Sequence, residues 1–187
     1  MRSRLLFACV AALAAFACSS TTGPSGTSSF TVMLKDSPFS DAKSVLITFS
    51  EVSAHRAEGE WITLPFAEAA TSRTCDLKKL VDAQDVLGTG PLTAGQYTMV
   101  RVVVTSATLH FDNAAAGAPC AATVTAPEGR SAAVDVPSGE VRLNRNFEVD
   151  ADSATTMLID FDGDRSIHET GNGRYMMQPV ITVVSVQ

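Results

Sequence analysis

The sequence predicts an all-β fold, an antiparallel Greek-key β-sandwich with at most one short helix. Three observations lead there. From Phe30 to Val186, short runs of alternating apolar residues follow one another, the period of a strand buried on one face. Clusters of Gly, Pro, Asp and Ser punctuate them, as in sandwiches and barrels. Finally, Leu92-Thr93-Ala94-Gly95-Gln96-Tyr97 opens the longest run. It has the form of a tyrosine corner, in which the phenol bonds back to an upstream backbone group in immunoglobulin-like sandwiches. An ordinary loop followed by a strand tyrosine fits the same residues.

Taken in order, Phe30–Leu34 is the first strand, closed by Asp36-Ser37-Pro38. Ser44–His55 places Val45, Ile47 and Phe49 on one face and then changes phase at Glu51-Val52, the mark of a bulge. Ala57–Glu60 turns it back into Trp61–Leu64 as a hairpin. Asp76–Val86 is the one helix-like segment, with Leu77, Leu80 and Val81 on a single side. Gln96–Phe111 is the longest strand; Val100, Val102 and Val104 face one way, Met99, Arg101 and Val103 the other. Shorter strands are expected at Ala122–Thr125, Ala133–Val136, Val141–Val149, Thr155–Asp162 and Tyr175–Val186, the last carrying Pro179 at an edge or bulge.

The first residues are an address. Arg2 and Arg4 precede thirteen uncharged residues, Leu5–Ala17. That run is shorter than the roughly 20 residues a membrane span needs, and it fits the apolar region of a signal peptide over residues 1–17. Ala15-Phe16-Ala17-Cys18 resembles the lipobox of bacterial lipoproteins, although Ala15 stands where leucine is usual. Cys18 is therefore the expected lipidation site. Ser19 behind it, instead of aspartate, points to outer-membrane sorting. Residues 18–29 continue as a Ser/Thr/Gly tether with nothing to bury, leaving residues 30–187 as one domain.

Charge and cysteines narrow the classes further. Removing the signal takes Arg2 and Arg4 from 14 basic side chains set against 20 acidic ones, leaving a formal charge of −8. An acidic domain of this kind is a poor nucleic-acid binder and has no electrostatic hold on a membrane, so membrane attachment falls to the lipid. With Cys18 acylated, Cys75 and Cys120 remain to pair in an oxidising compartment.

Candidate sites are few. Asp160, Asp162 and Asp164 stand at every second position, but an EF-hand would need Gly and Glu where Arg165 and Gly171 occur. A looser calcium site remains, with Asp160 and Asp162 on one strand face and Asp36 or Asp164 completing it. The competing reading is a capped strand end whose carboxylates pair with arginine. His55, His110 and His168 lack partners at zinc spacing, although His110 and Asp112 share a strand face. Ser166 and His168 share a face without forming a triad, and no catalytic residue is assigned. Trp61 and Tyr175 are the candidate ligand-contacting aromatics, with core or edge packing as the alternative.

These blocks together resemble a family of bacterial and archaeal lipoprotein domains known as domain of unknown function 4382. The residues concerned are Leu34–Pro38, Ser44–His55 with Trp61, Cys75-Asp76-Leu77, Leu92–Tyr97 and Arg101, then Ile159–Asp162, Arg165-Ser166 and Tyr175–Ile181. The resemblance implies a lipid-anchored or secreted sandwich, similar in outline to transthyretin-like and carbohydrate-binding-like modules, and brings no activity with it. The expected function is a binding or interaction module in the cell envelope, for a glycan or an envelope protein. The alternatives are a glycan-directed hydrolase using the Asp160/Asp162 region and a structural partner in an envelope assembly.

Overall fold

The computed structural model describes residues 26–37, 39–57 and 59–187. The signal segment, Cys18 and most of the tether lie outside them, as do Pro38 and Glu58 of two expected turns. Thirteen strands occur among the described residues: β1 (Thr27–Ser37), β2 (Ser44–Arg56), β3 (Trp61–Thr63), β4 (Arg73–Asp76), β5 (Asp85–Thr93), β6 (Gly95–His110), β7 (Cys120–Ala121), β8 (Ser131–Asp135), β9 (Glu140–Val149), β10 (Thr155–Asp162), β11 (Ile167–Gly171), β12 (Arg174–Met177) and β13 (Ile181–Val186).

They form two sheets. The smaller has the order β13-β10-β1-β5; the larger runs β11-β12-β8-β6-β2-β4-β7, with β3 on β2 and β9 on β6. The chain passes repeatedly between the sheets, and most neighbours are antiparallel. Two pairs, β1–β10 and β8–β12, are parallel. Alternation sends Phe30, Val32 and Leu34 of β1 inward to meet Ile47, Phe49 and Val52 of β2 and Ile159 and Phe161 of β10. Phe147 stacks between Phe30 and Tyr97, with ring centroids 5.0 and 5.3 Å away. Aromatic pairs of this kind add about 0.5–1.5 kcal/mol beyond their burial.

Local expectations divide cleanly. The Tyr97 hydroxyl donates to the Thr93 carbonyl at 2.9 Å, so the tyrosine corner exists. The β2–β6 register shifts between Phe49 and Glu51, where the phase change indicates a bulge. Cys75 and Cys120 face each other across β4 and β7 and form the disulfide, at a sequence separation of 45.

Other boundaries move. β1 begins at Thr27, three residues inside the expected tether, because backbone pairing with β5 (Thr27 opposite Thr93) needs no apolar side chain. The helix-like Asp76–Val86 is only a 3-10 turn, Leu77–Lys79, followed by β5. Gly88, Gly90 and Pro91 mask β5 in the sequence. A side chain on Gly90 would come within 2.9 Å of Pro65 Cδ, so glycine lets the Leu64-Pro65 segment lie close. Ala122–Thr125 is not a strand, since β7 stops at Ala121. The long C-terminal strand is two strands in different sheets, β12 and β13, parted at Gln178-Pro179-Val180.

Candidate functional site

The carboxylate-rich end comes from β1 and β10 lying parallel, with Lys35 opposite Asp160, Asp36 opposite Phe161 and Ser37 opposite Asp162. Alternation then separates the aspartates. Asp160 lies on the outer face, where Lys35 Nζ approaches at 3.1 Å and Ser37 Oγ donates at 3.1 Å. Asp36 continues the inward series Phe30-Val32-Leu34 and is 2 % exposed. Asp162 caps a single helical turn, α1 (Gly163–Ser166), by accepting from Arg165 N at 3.0 Å. Asp164 sits exposed in that turn. The four expected cation ligands are thus neighbours that do not converge. Among the described residues no three His, Cys, Asp or Glu side chains are placed to hold a metal ion.

Asp36 is the anomaly of this end. Neither of its oxygens has a hydrogen-bond partner. The Gly163 N–H leans toward it short of bonding geometry, and Lys78 is bonded to the Phe39 carbonyl nearby. Desolvation pushes its carboxyl up to about 8; the Asp160 and Asp162 charges add to this, while the Gly163 N–H and Lys78 pull the other way. The close fit needs Gly163, where a Cβ would stand 3.0 Å from Phe39 Cβ and 3.4 Å from Asp36 Oδ1.

Ser166 is structural. Its hydroxyl donates to the Asp162 carbonyl at 2.5 Å and accepts from Val180 N at 2.9 Å, and its carbonyl takes Gln178 N at 2.9 Å. These bonds staple together both ends of the β11–β12 hairpin. The Asp160–Ser166 stretch therefore acts as the root that aims this hairpin.

Trp61 is embedded in a network on the outer face of the large sheet. The Arg101 guanidinium lies 4.4 Å from its ring centroid and the His55 ring 4.7 Å. Arg101 is held by Glu51, with Nε to Oε1 at 3.1 Å, and His55 Nδ1 pairs with Thr98 Oγ1 at 2.9 Å. Burial alone would raise the Glu51 carboxyl, but the Arg101 hydrogen bond, the nearby Ser53 hydroxyl and the Arg101 charge together hold it below the usual range. With these partners, Trp61 is a packed side chain more than an open platform.

Tyr175 is differently placed. β12 pairs with β8 only at Tyr175–Val134 and Met176–Asp135, and beyond these the two strands splay. The gap is a cleft of about 560 Å3 between Ser131–Asp135 and Thr170, Gly173–Met176. A second cleft of about 590 Å3 adjoins it, sharing Ser131, Ala132, Gly173 and Tyr175 and adding Asp41, Phe111 and Arg130. The Tyr175 and Phe111 rings lie 5.9 Å apart, both partly buried against the core. Arg130 stands 5.8 Å over Phe111 and is fastened to Asp112, with Nη2 to Oδ1 at 2.9 Å and its backbone N to Oδ2 at 2.7 Å. These bonds, the backbone one foremost, hold the Asp112 carboxyl below its usual range. Arg174 is exposed and makes no ion pair among the described residues.

Of the expected site residues, only Tyr175 lies in this cleft. Phe111, Arg130 and Arg174 are brought to it by long-range pairing, which no local pattern announces. One sequence cue does exist for the far wall: Thr170-Gly171-Asn172-Gly173 is a turn signal, and Gly171, Asn172 and Gly173 all adopt positive φ.

Residues 27–179 match the family model described as Domain of unknown function (DUF4382), and the chain belongs to that family. No curated protein and no solved structure matches it.

Proposed function

We propose that this DUF4382 member is a lipid-anchored module of the bacterial cell envelope that works by binding a ligand in the β8–β12 cleft. In this reading Cys18 is acylated after loss of residues 1–17, and the domain is held at the outer membrane, facing the periplasm or the cell surface. The ligand is a glycan or an envelope protein. The observation that carries the binding role is the cleft itself. At about 560 Å3 it falls in the ~300–1,000 Å3 range of ligand sites, and its aromatic wall is preset by packing on the core.

The competing readings have less behind them. A hydrolase at Asp160/Asp162 would need two free carboxylates across an open cleft. Here one carboxylate is engaged by Lys35 and Ser37 and the other caps α1. A calcium ion at Asp36, Asp160, Asp162 and Asp164 would have to displace Lys35 and turn Asp36 out of the core.

Two measurements test the proposal. The wild-type chain should take up a labelled fatty acid and sediment with membranes, while Cys18→Ala should do neither; membrane retention of the variant would refute anchoring at Cys18. In the unlipidated Cys18→Ala protein, a small-molecule fragment library should shift backbone amides of Ser131–Asp135 and Gly173–Met176. Fragments collecting at Asp160–Asp164 instead would favour the hydrolase.

A further inference from the structure

We propose that the cleft takes an uncharged saccharide chain, with one sugar ring lying on Tyr175 beside Phe111 and its neighbours hydrogen-bonded to the exposed backbone of β8 and to Arg174. This rests on the binding role argued above and adds the chemical class of the ligand.

The two adjoining clefts are lined by two arginines, Arg130 and Arg174, and two aspartates, Asp41 and Asp135. Arg130 is already neutralised by Asp112. A polyanion would find one free guanidinium opposed by two carboxylates, and a polycation would meet that same guanidinium. The balance of one negative charge disfavours a polyanion and gives a polycation only a weak attraction past the guanidinium, so the lining is compatible with a neutral chain.

The aromatic wall suits the flat side of a sugar ring. The negative face of an aromatic ring attracts the weakly positive C–H groups that a pyranose presents on its flat side. A stacking platform must also be immobile, because ordering a side chain on binding costs about 0.5–1.5 kcal/mol. Tyr175 meets that condition, resting on the core and against Phe111 before any ligand arrives.

The backbone separates a saccharide from a peptide. Phe111 N donates to the Arg130 carbonyl at 3.0 Å, and the His110 carbonyl accepts from Lys43 N on the β2 side. Backbone groups in an antiparallel ladder alternate in direction. Ser131, opposite His110, therefore turns its N–H and C=O away from β6 and into the cleft. The free edge of β8 is short, since β12 takes over at Val134. A peptide strand would gain only a couple of ladder bonds there. Hydroxyls, which both donate and accept, can use one isolated N–H and one isolated C=O.

The test is an amide chemical-shift titration of the folded, unlipidated Cys18→Ala protein with maltohexaose, cellohexaose, laminarihexaose and chitohexaose. At least one should shift Ser131–Ala133 and Gly173–Met176 saturably. Tyr175→Ala should weaken that binding at least tenfold and Arg174→Ala several-fold, whereas Tyr175→Phe, which keeps the platform, should bind nearly as wild type. Unchanged melting of the exposed Arg174→Ala variant guards against a trivial loss of fold. If none of the four shifts these amides at 5 mM while fragments still do, the saccharide assignment falls and the binding role stands. If fragments miss the cleft as well, both fall. A short extended peptide shifting these amides where no saccharide does would hand the cleft to a protein partner and overturn the proposal.

Discussion

Asp36 and Asp76 are both buried aspartates at strand ends, 2 % and 0 % exposed, and they could hardly be more differently provided for. Asp76 accepts from Ser44 Oγ at 2.7 Å, Val45 N at 3.0 Å and Lys78 N at 3.2 Å, next to the Cys75–Cys120 disulfide. Neither oxygen of Asp36 has a hydrogen-bond partner, the Gly163 N–H falling short of one, and it feels the charges of Asp160 and Asp162. Lys78 serves both corners, its backbone N bonded to Asp76 and its ammonium charge felt by Asp36. Burial is common to the two, so burial does not decide whether a carboxylate is tolerated. The donors do: three hydrogen bonds satisfy the Asp76 carboxylate oxygens, and the lack of any leaves Asp36 to take up a proton.

Breaking the braced corner should cost most. In Cys75→Ala/Cys120→Ala, loss of a cross-link at a separation of 45 residues should lower unfolding free energy by about 3–4 kcal/mol. Urea denaturation of the unlipidated protein measures it, and an unchanged midpoint would show that the β4–β7 corner holds without the bond. Asp76→Asn is the next step down. Asparagine can keep Val45 N and Lys78 N on its single oxygen, but its NH2 must face the Ser44 hydroxyl, which then has to accept instead of donate, and the weakened set should cost about 1–2 kcal/mol. Amide exchange should quicken at Val45 and Lys78 first. Uniform acceleration across the domain would mean that the corner is not a local unit.

The sandwich is legible wherever a strand makes its own argument. β2 and β6 are long and alternate over most of their length, with β2 changing phase at Glu51-Val52, so period alone marks them as strands there. β5 is hidden because Gly88, Gly90 and Pro91 serve a close backbone approach at an edge, at the expense of strand propensity. The division of the C-terminal run into β12 and β13 follows from Pro179, which reads equally as a bulge until the sheets are known. The inward direction of Asp36 is written in the alternation Phe30-Val32-Leu34, yet its polarity suggests the opposite face. Most of the cleft has no local signature. Phe111, Arg130 and Tyr175 meet only because β8 joins β6 on one side and β12 on the other.

Asp36→Asn should act in the opposite direction. Asparagine has the shape of the protonated acid and no charge to lose. With the folded carboxyl near 8 against an ordinary 3.8, the native state holds a proton that the unfolded chain releases between those values. Stability from this group is therefore full below about pH 4, falls as pH rises through the interval and levels off above about pH 8. The variant should match wild type near pH 4, exceed it at pH 7 by at most about 4 kcal/mol (~1.4 kcal/mol per pH unit across the interval) and remove that part of the slope. Denaturant midpoints at pH 4, 6, 7 and 8.5 measure it. A variant that is less stable at pH 7 would show that Asp36 is ionised and paired there. Millimolar calcium separates the remaining case: if Asp36 were a cation ligand, calcium would stabilise wild type and not Asp36→Asn, whereas a buried neutral acid predicts no difference between them.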